Sequence, residues 1–171
     1  MKSLLLEKTR AVLAVTPVFW EQLSQKVSDD LLRANPAEGE WSALDCLQHL
    51  IDTERWVFPR RVEYFLAGQD FPAFDPDSQG TRTKLEISSV EFGVQFCQLR
   101  EESLTLLDRL SPADLARQAR HAELGLVTLD EMLHEWAGHD LMHTVQAERA
   151  LMQPFIEGCG PWREYFKDHI A

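Results

Sequence analysis

Apolar residues recur at helical spacing along almost the whole chain, and no convincing run alternates apolar with polar in the two-residue period of a strand. That periodicity restricts the fold to helices packed through apolar stripes. Residues 2 to 27 carry leucines and valines at helical spacing, and Thr16-Pro17 marks either a kink or an N-cap followed by proline at the first helical position. The polar stretch Asn35–Glu40 ends this element. A second helix is expected from Ser42, with Asp45 in the first turn where a carboxylate suits the helix dipole. Its stripe is Leu44, Leu47, Ile51 and Phe58, and it should end near Gly68. Residues 69 to 84, with Pro72, Pro76, Gly80 and three aspartates, read as a long loop of the kind that is often functional. A third helix should open at Ser88 or Ser89 and run to Leu110 through Phe92, Phe96, Leu99, Leu106 and Leu107, before a short extra turn from Ser111-Pro112. A fourth opens at Thr128, where Glu131 three residues later completes a capping box, and is expected to stop at Gln153 before Pro154. Pro161-Trp162, after Gly158 and Gly160, starts a short terminal helix. Four long helices without strands predict an all-α four-helix bundle.

A length of 171 residues suits one domain spanning 1–171, and 44% hydrophobic with 26% charged residues suits a globular one. Seventeen basic against 28 acidic residues give a charge of −11, and the basic residues do not cluster beyond runs such as Arg60-Arg61. Nucleic-acid binding needs clustered Lys and Arg, so it is not expected. No apolar run approaches the roughly 20 residues that cross a bilayer, and Glu7, Lys8 and Arg10 interrupt the apolar start before it could serve as a signal peptide. Cys46, Cys97 and Cys159 are odd in number and form no C-x-x-C pair. A reducing cytoplasm is the expected location.

Chemistry concentrates in His134-Glu135-Trp136-Ala137-Gly138-His139-Asp140-Leu141-Met142-His143. Residues four apart on a helix differ by about 40° in azimuth and about 6 Å in rise, so His139 and His143 can chelate one ion. Glu135 lies one turn earlier on that face, and Gln146 about 20° from His139 on its other side. Asp140 and His134 point elsewhere. A solvated helix face would produce the same pair, so a third ligand from another element is needed. His49, on a polar strip of the second helix with Asp45, Asp52, Thr53 and Trp56, is a candidate. His121 and His169 fall in loop and terminal regions and read as incidental. Glu131-x-x-His134 is a single Glu-x-x-His step where di-iron bundles need two. His134-Glu135 opens like a zincin motif, but His139 comes one residue late, about 140° away.

Glu40-Trp41-Ser42 leading to a mid-helix His49 with Asp52 and Glu54 resembles the second helix of the DinB/YfiT-like proteins. His139-Asp140-x-x-His143-x-x-Gln146, preceded by Thr128-Leu129-x-Glu131-Met132-Leu133, resembles their fourth-helix motif. The resemblance covers roughly Thr16 to Gln153. It implies an up-down-down-up bundle, often dimeric, with residues 69–84 as the crossover between the second and third helices. It also implies a divalent metal held by His49, His139 and His143. Relatives include thiol-dependent enzymes such as bacillithiol S-transferases and mycothiol-dependent maleylpyruvate isomerase.

Three imidazoles leave at least one coordination position open, the arrangement of a catalytic site. Zinc is the expected ion, with nickel or another transition metal as alternatives. The open position suits a low-molecular-weight thiol, which the ion would convert to a thiolate that attacks a small electrophile. A hydrolase that uses bound water, and a non-catalytic metal-binding dimeric stress protein, are the alternatives. Glu135 and Gln146 are candidates for positioning or proton transfer, and Asp52 is a weaker one. Cys46 reads as a buried, inert thiol. Trp41, Trp56 and Trp136 are candidate pocket walls.

Overall fold

The computed structural model describes residues 3–73 and 87–171. Six α-helices occur among them: α1 (Leu4–Lys26), α2 (Asp29–Leu32), α3 (Ala43–Trp56), α4 (Phe58–Ala67), α5 (Ser89–Leu107) and α6 (Leu129–Gly158). Reciprocal capping boxes start three of them, Ser42 with Asp45, Ser88 with Glu91 and Thr128 with Glu131. Each pair satisfies two backbone donors that a helix start would leave orphaned.

Contacts at known heights along each helix give the topology. Arg10 of α1 meets Asp108 just after α5, while Ser24 meets Ser89, so these helices are antiparallel. Arg100 of α5 bonds Glu54 of α3, and Phe92 lies beside Leu44, so α3 and α5 run parallel. His49 faces His139, and Glu54 faces Trp136, which makes α3 and α6 antiparallel. The order is up-down-down-up. Gly93 permits the close approach of α5 to α1, because a Cβ there would collide with the Ser24 hydroxyl.

Five expectations require correction. The second helix is two: the chain breaks at Val57 (φ −116°, ψ −79°) and restarts with Pro59 in the first turn of α4. Proline lacks the N–H and clashes with the preceding turn, which favours a restart there. Pro154 does not end α6, which continues to Gly158. The helix is anchored beyond the proline: Ile156 is buried, and the Gln153 side chain donates to the carbonyls of Arg149 and His169. The third helix ends at Leu107, three residues earlier than expected. A two-stranded hairpin, β1 (Gln118–His121) paired with β2 (Gly125–Thr128), precedes α6. Four-residue strands are too short to register as an alternating pattern. His121 is no bystander here, since its buried ring accepts the backbone N–H groups of Glu123 and Leu124 and closes the hairpin turn. Of the loop expected over 69–84, residues 74–84 lie outside the described residues, and Phe71 donates its N–H to the Arg120 carbonyl. The chain ends in a 3₁₀ segment, Gly160–His169.

Pro17 lies inside α1. Proline has no N–H, so the carbonyl of Leu13 loses its helical donor. Arg100 Nη1 supplies one at 3.2 Å. The same guanidinium, 1% exposed, pairs with Glu54 (Nε to Oε1, 2.8 Å) and Asp140 (Nη1 to Oδ2, 2.7 Å). Thr16 Oγ1 donates to Asp140 Oδ2 at 2.5 Å, and Trp136 Nε1 to Glu54 Oε2 at 3.3 Å. All four bundle helices meet in this layer. It separates one apolar cluster around Leu13, Phe58, Phe65, Leu133 and Trp136 from another around Trp20, Leu47, Ile51, Phe92, Phe96 and Ala147. Burial pushes the Glu54 carboxyl up, and Arg100 opposes that shift.

Removing one member of a buried charge network leaves the others uncompensated, at a cost of about 3–5 kcal/mol. Arg100→Met should therefore lower the urea midpoint by an amount equivalent to about 3–5 kcal/mol at neutral pH, with m unchanged. A loss below about 1 kcal/mol would show that the network contributes little.

Candidate metal centre

The helical spacing that aligns His139 with His143 on α6 turns both rings toward α3, where His49 stands two turns from the Ser42 cap. One ligand atom from each ring lies within 4.8 Å of the others. Ring centroids are 5.1 Å apart for His49 and His139, 4.7 Å for His49 and His143, and 4.5 Å for His139 and His143. Nε2 of His49 is 3.1 Å from Nε2 of His139. Two nitrogens at about 2.1 Å from one tetrahedral ion are roughly 3.4 Å apart, so the spacing fits a shared cation. Facing lone pairs repel unless one nitrogen carries a proton or both share such an ion.

Electrostatics favour the form that ligates. His139 is lowered to about 3, chiefly by burial, then by His143, His49, Arg100 and Arg61. His49 is lowered to about 4 by burial and by His143. Burial also lowers His143, against the opposing effects of Gln146 and Asp140. All three rings are therefore neutral at pH 7, and a neutral imidazole keeps a lone pair. Gln146 Oε1 lies 2.9 Å from His143 Nδ1. An amide oxygen only accepts, so Nδ1 carries the proton and Nε2 keeps the pair for an ion. Nδ1 of His139 is buried with no hydrogen-bond partner. A core histidine satisfied by neighbouring polar groups would not look like this.

Aromatic rings wall the cluster. Trp41 stacks on His143 (centroids 5.6 Å apart, planes 15°), and Phe58 meets His139 edge-on at 5.1 Å. Of the other tryptophans, Trp136 is fully buried against Phe58, and Trp56 lies under Arg60 beside a separate cavity. Glu135 is exposed and ion-paired with Arg61 Nη1 at 3.5 Å, and Arg61 in turn acts on His139. Burial pushes the Cys46 thiol up to about 12, which keeps it protonated and unsuited to bind a cation.

A cavity of about 620 Å³ opens beside His49 and Trp41. Asn35, Glu38, Glu40, Asp45, Gln48 and Asp52 line it. Asp52 is 9% exposed, its Oδ2 has no hydrogen-bond partner, and burial pushes its carboxyl up to about 6 against the influence of Arg55. Apart from Glu40, which belongs to the family motif, the sequence reading took Asn35–Glu40 only as a helix terminator. The signal for more was the run of acids just before the Ser42 cap. No helix among the described residues is long and apolar enough to cross a membrane.

Two solved structures share the fold. YfiT from Bacillus subtilis, described as a probable metal-dependent hydrolase with an unusual four-helix bundle topology, superposes with a TM-score of 0.73 at 18% identity, over 88% of this chain and 87% of that one. A DinB-like protein from Bacillus subtilis, YjoA, superposes with a TM-score of 0.59 at 18% identity, over 85% and 91%. No curated protein sequence matches significantly. The profile of the DinB superfamily matches residues 10–147, a span that contains all three histidines, and the chain belongs to that superfamily.

Proposed function

We propose that this chain is a divalent-metal-dependent enzyme in which His49, His139 and His143 hold the ion and a small molecule is the substrate. The observation that carries the reading is the convergence of three neutral imidazoles, His143 buried and His49 and His139 half-buried, beside a cavity. Three nitrogens leave a tetrahedral shell incomplete, and zinc is the ion this donor set favours, with nickel next. Bound there, the ion would supply Lewis acidity and lower the pKa of a water or thiol that completes its shell. Gln146 holds the His143 ring in its ligating tautomer, and Trp41 and Phe58 shield the imidazoles. Hydrolysis is the reaction we favour. The description of YfiT supports it, and a cavity lined by Glu38, Glu40, Asp45 and Asp52 repels an incoming thiolate.

Elemental analysis should find about one transition-metal ion per chain in the wild type and none in His139→Ala, which should keep its helical circular dichroism. Equal metal in both would sink the proposal. Protonation and metal binding compete for the same lone pairs. Because His49 and His139 titrate at about 4 and about 3, acid should not compete near neutrality. Affinity should stay nearly flat around neutrality and fall in acid, as protons take the nitrogens of all three rings, His143 included. A release midpoint at the ordinary histidine value of 6.5 would contradict the shifts.

Metal-dependent cleavage of aryl esters or amides without added thiol, lost in His139→Ala, is the expected activity. S-conjugate formation with a cytosolic thiol, and no cleavage without it, would instead assign the thiol-activating chemistry.

A further inference from the structure

We propose that the cavity beside His49 is a recognition site for an organic cation, in which Asp52 anchors a substituted ammonium group and Trp41 offers its ring face. This deepens the hydrolase reading by naming the charge of its substrate. Among the described residues, four carboxylates line the cavity and no Lys or Arg does. Asp45 is committed to the backbone N–H and hydroxyl of Ser42. Glu38 and Glu40 sit exposed on the rim. Asp52 differs from these three. It is more than nine-tenths buried, lines the cavity, and has an oxygen without a partner.

A buried carboxylate without partners is costly, and a cation delivered by a ligand removes that cost. A bare metal ion is a poor match for this cavity. Among the described residues, only His49, His139 and His143 bring three donors close enough to share one ion. The carboxylates are instead spread around about 620 Å³, room for an organic group. Trp41 is 39% exposed and lines the same cavity. An indole face attracts alkylammonium groups through its quadrupole. A substrate seated by its cation at Asp52 would lie beside His49, one helical turn back on α3.

The test compares choline with 3,3-dimethylbutan-1-ol, an uncharged molecule of the same shape that carries the same hydroxyl. Isothermal titration of the zinc-loaded protein at neutral pH should give choline at least about tenfold tighter binding than the alcohol. Asp52→Asn should shrink that preference to roughly threefold or less, and the double change Glu38→Gln with Glu40→Gln should reduce it more weakly. Equal binding of the two molecules to the wild type, or no saturable choline binding, overturns the inference. So does an undiminished preference in Asp52→Asn. Zinc content is measured on the same samples. Zinc bound without a choline preference refutes the cation site and leaves the metal centre standing, whereas a wild type that takes up no zinc refutes the metal centre whatever choline does.

Discussion

The Arg100 guanidinium, fully buried at mid-height, is the interaction on which the rest of the structure depends. It donates to α3 through Glu54, to α6 through Asp140, and to α1 through the Leu13 carbonyl that Pro17 leaves without a helical donor. A bundle held by apolar stripes alone can slide or rotate by one position with little penalty, whereas a buried ion network tolerates one register, as buried polar groups do in coiled coils. Asp140 sits about 100° from His139 and about 60° from His143 on the helical wheel. Pinning Asp140 to Arg100 and Thr16 therefore sets the azimuth of both histidines. The three-histidine cluster is oriented by a network of which none of the three rings is a member.

Desolvation then sets the chemistry of the three rings. Each lies against aromatic or imidazole neighbours, and a second positive charge among them would be repelled by the first. Burial and mutual repulsion act in the same direction, so a proton is excluded while a divalent ion, which satisfies all three lone pairs at once, is not. Gln146 adds direction by fixing which nitrogen of His143 faces inward.

Helix starts were legible because caps are local. Ser42 with Asp45 and Thr128 with Glu131 need only four consecutive residues to be recognised. The three histidines were legible through spacing on α6 together with the family resemblance, which supplied His49. What could not be read depended on distant partners. Pro154 stays helical because the C-terminal segment returns to Gln153. The break at Val57 is the exception: its signal, Pro59 two residues on, is local, and the apolar stripe running through to Phe58 masked it. The Arg100 network was missed although its signal was present. Arg100 lies four residues after Phe96 and seven before Leu107, on the apolar stripe of α5, where an unpaired charge would be prohibitive. Its acidic partners come from helices 46 and 40 residues away in sequence, and no local rule connects them.

One low-dielectric layer thus treats its ionisable groups in two ways. Glu54 and Asp140 are compensated internally by Arg100. Among the described residues, the histidines and Asp52 form no ion pair with an Arg or Lys, and Arg55 only partly offsets the burial of Asp52. Burial lowers the histidines and raises Asp52, which moves both kinds of group toward neutrality. Asp52 Oδ2 has no donor in the protein, and the Nε2 atoms of His49 and His139 face each other at 3.1 Å. Electron-pair donors left unsatisfied in a buried wall are complementary to positive charge. On the proposed reading, a metal ion at the imidazoles and an ammonium group at Asp52 would be the two kinds of positive charge that the spacing of these donors separates, one held at a point and the other in a cavity.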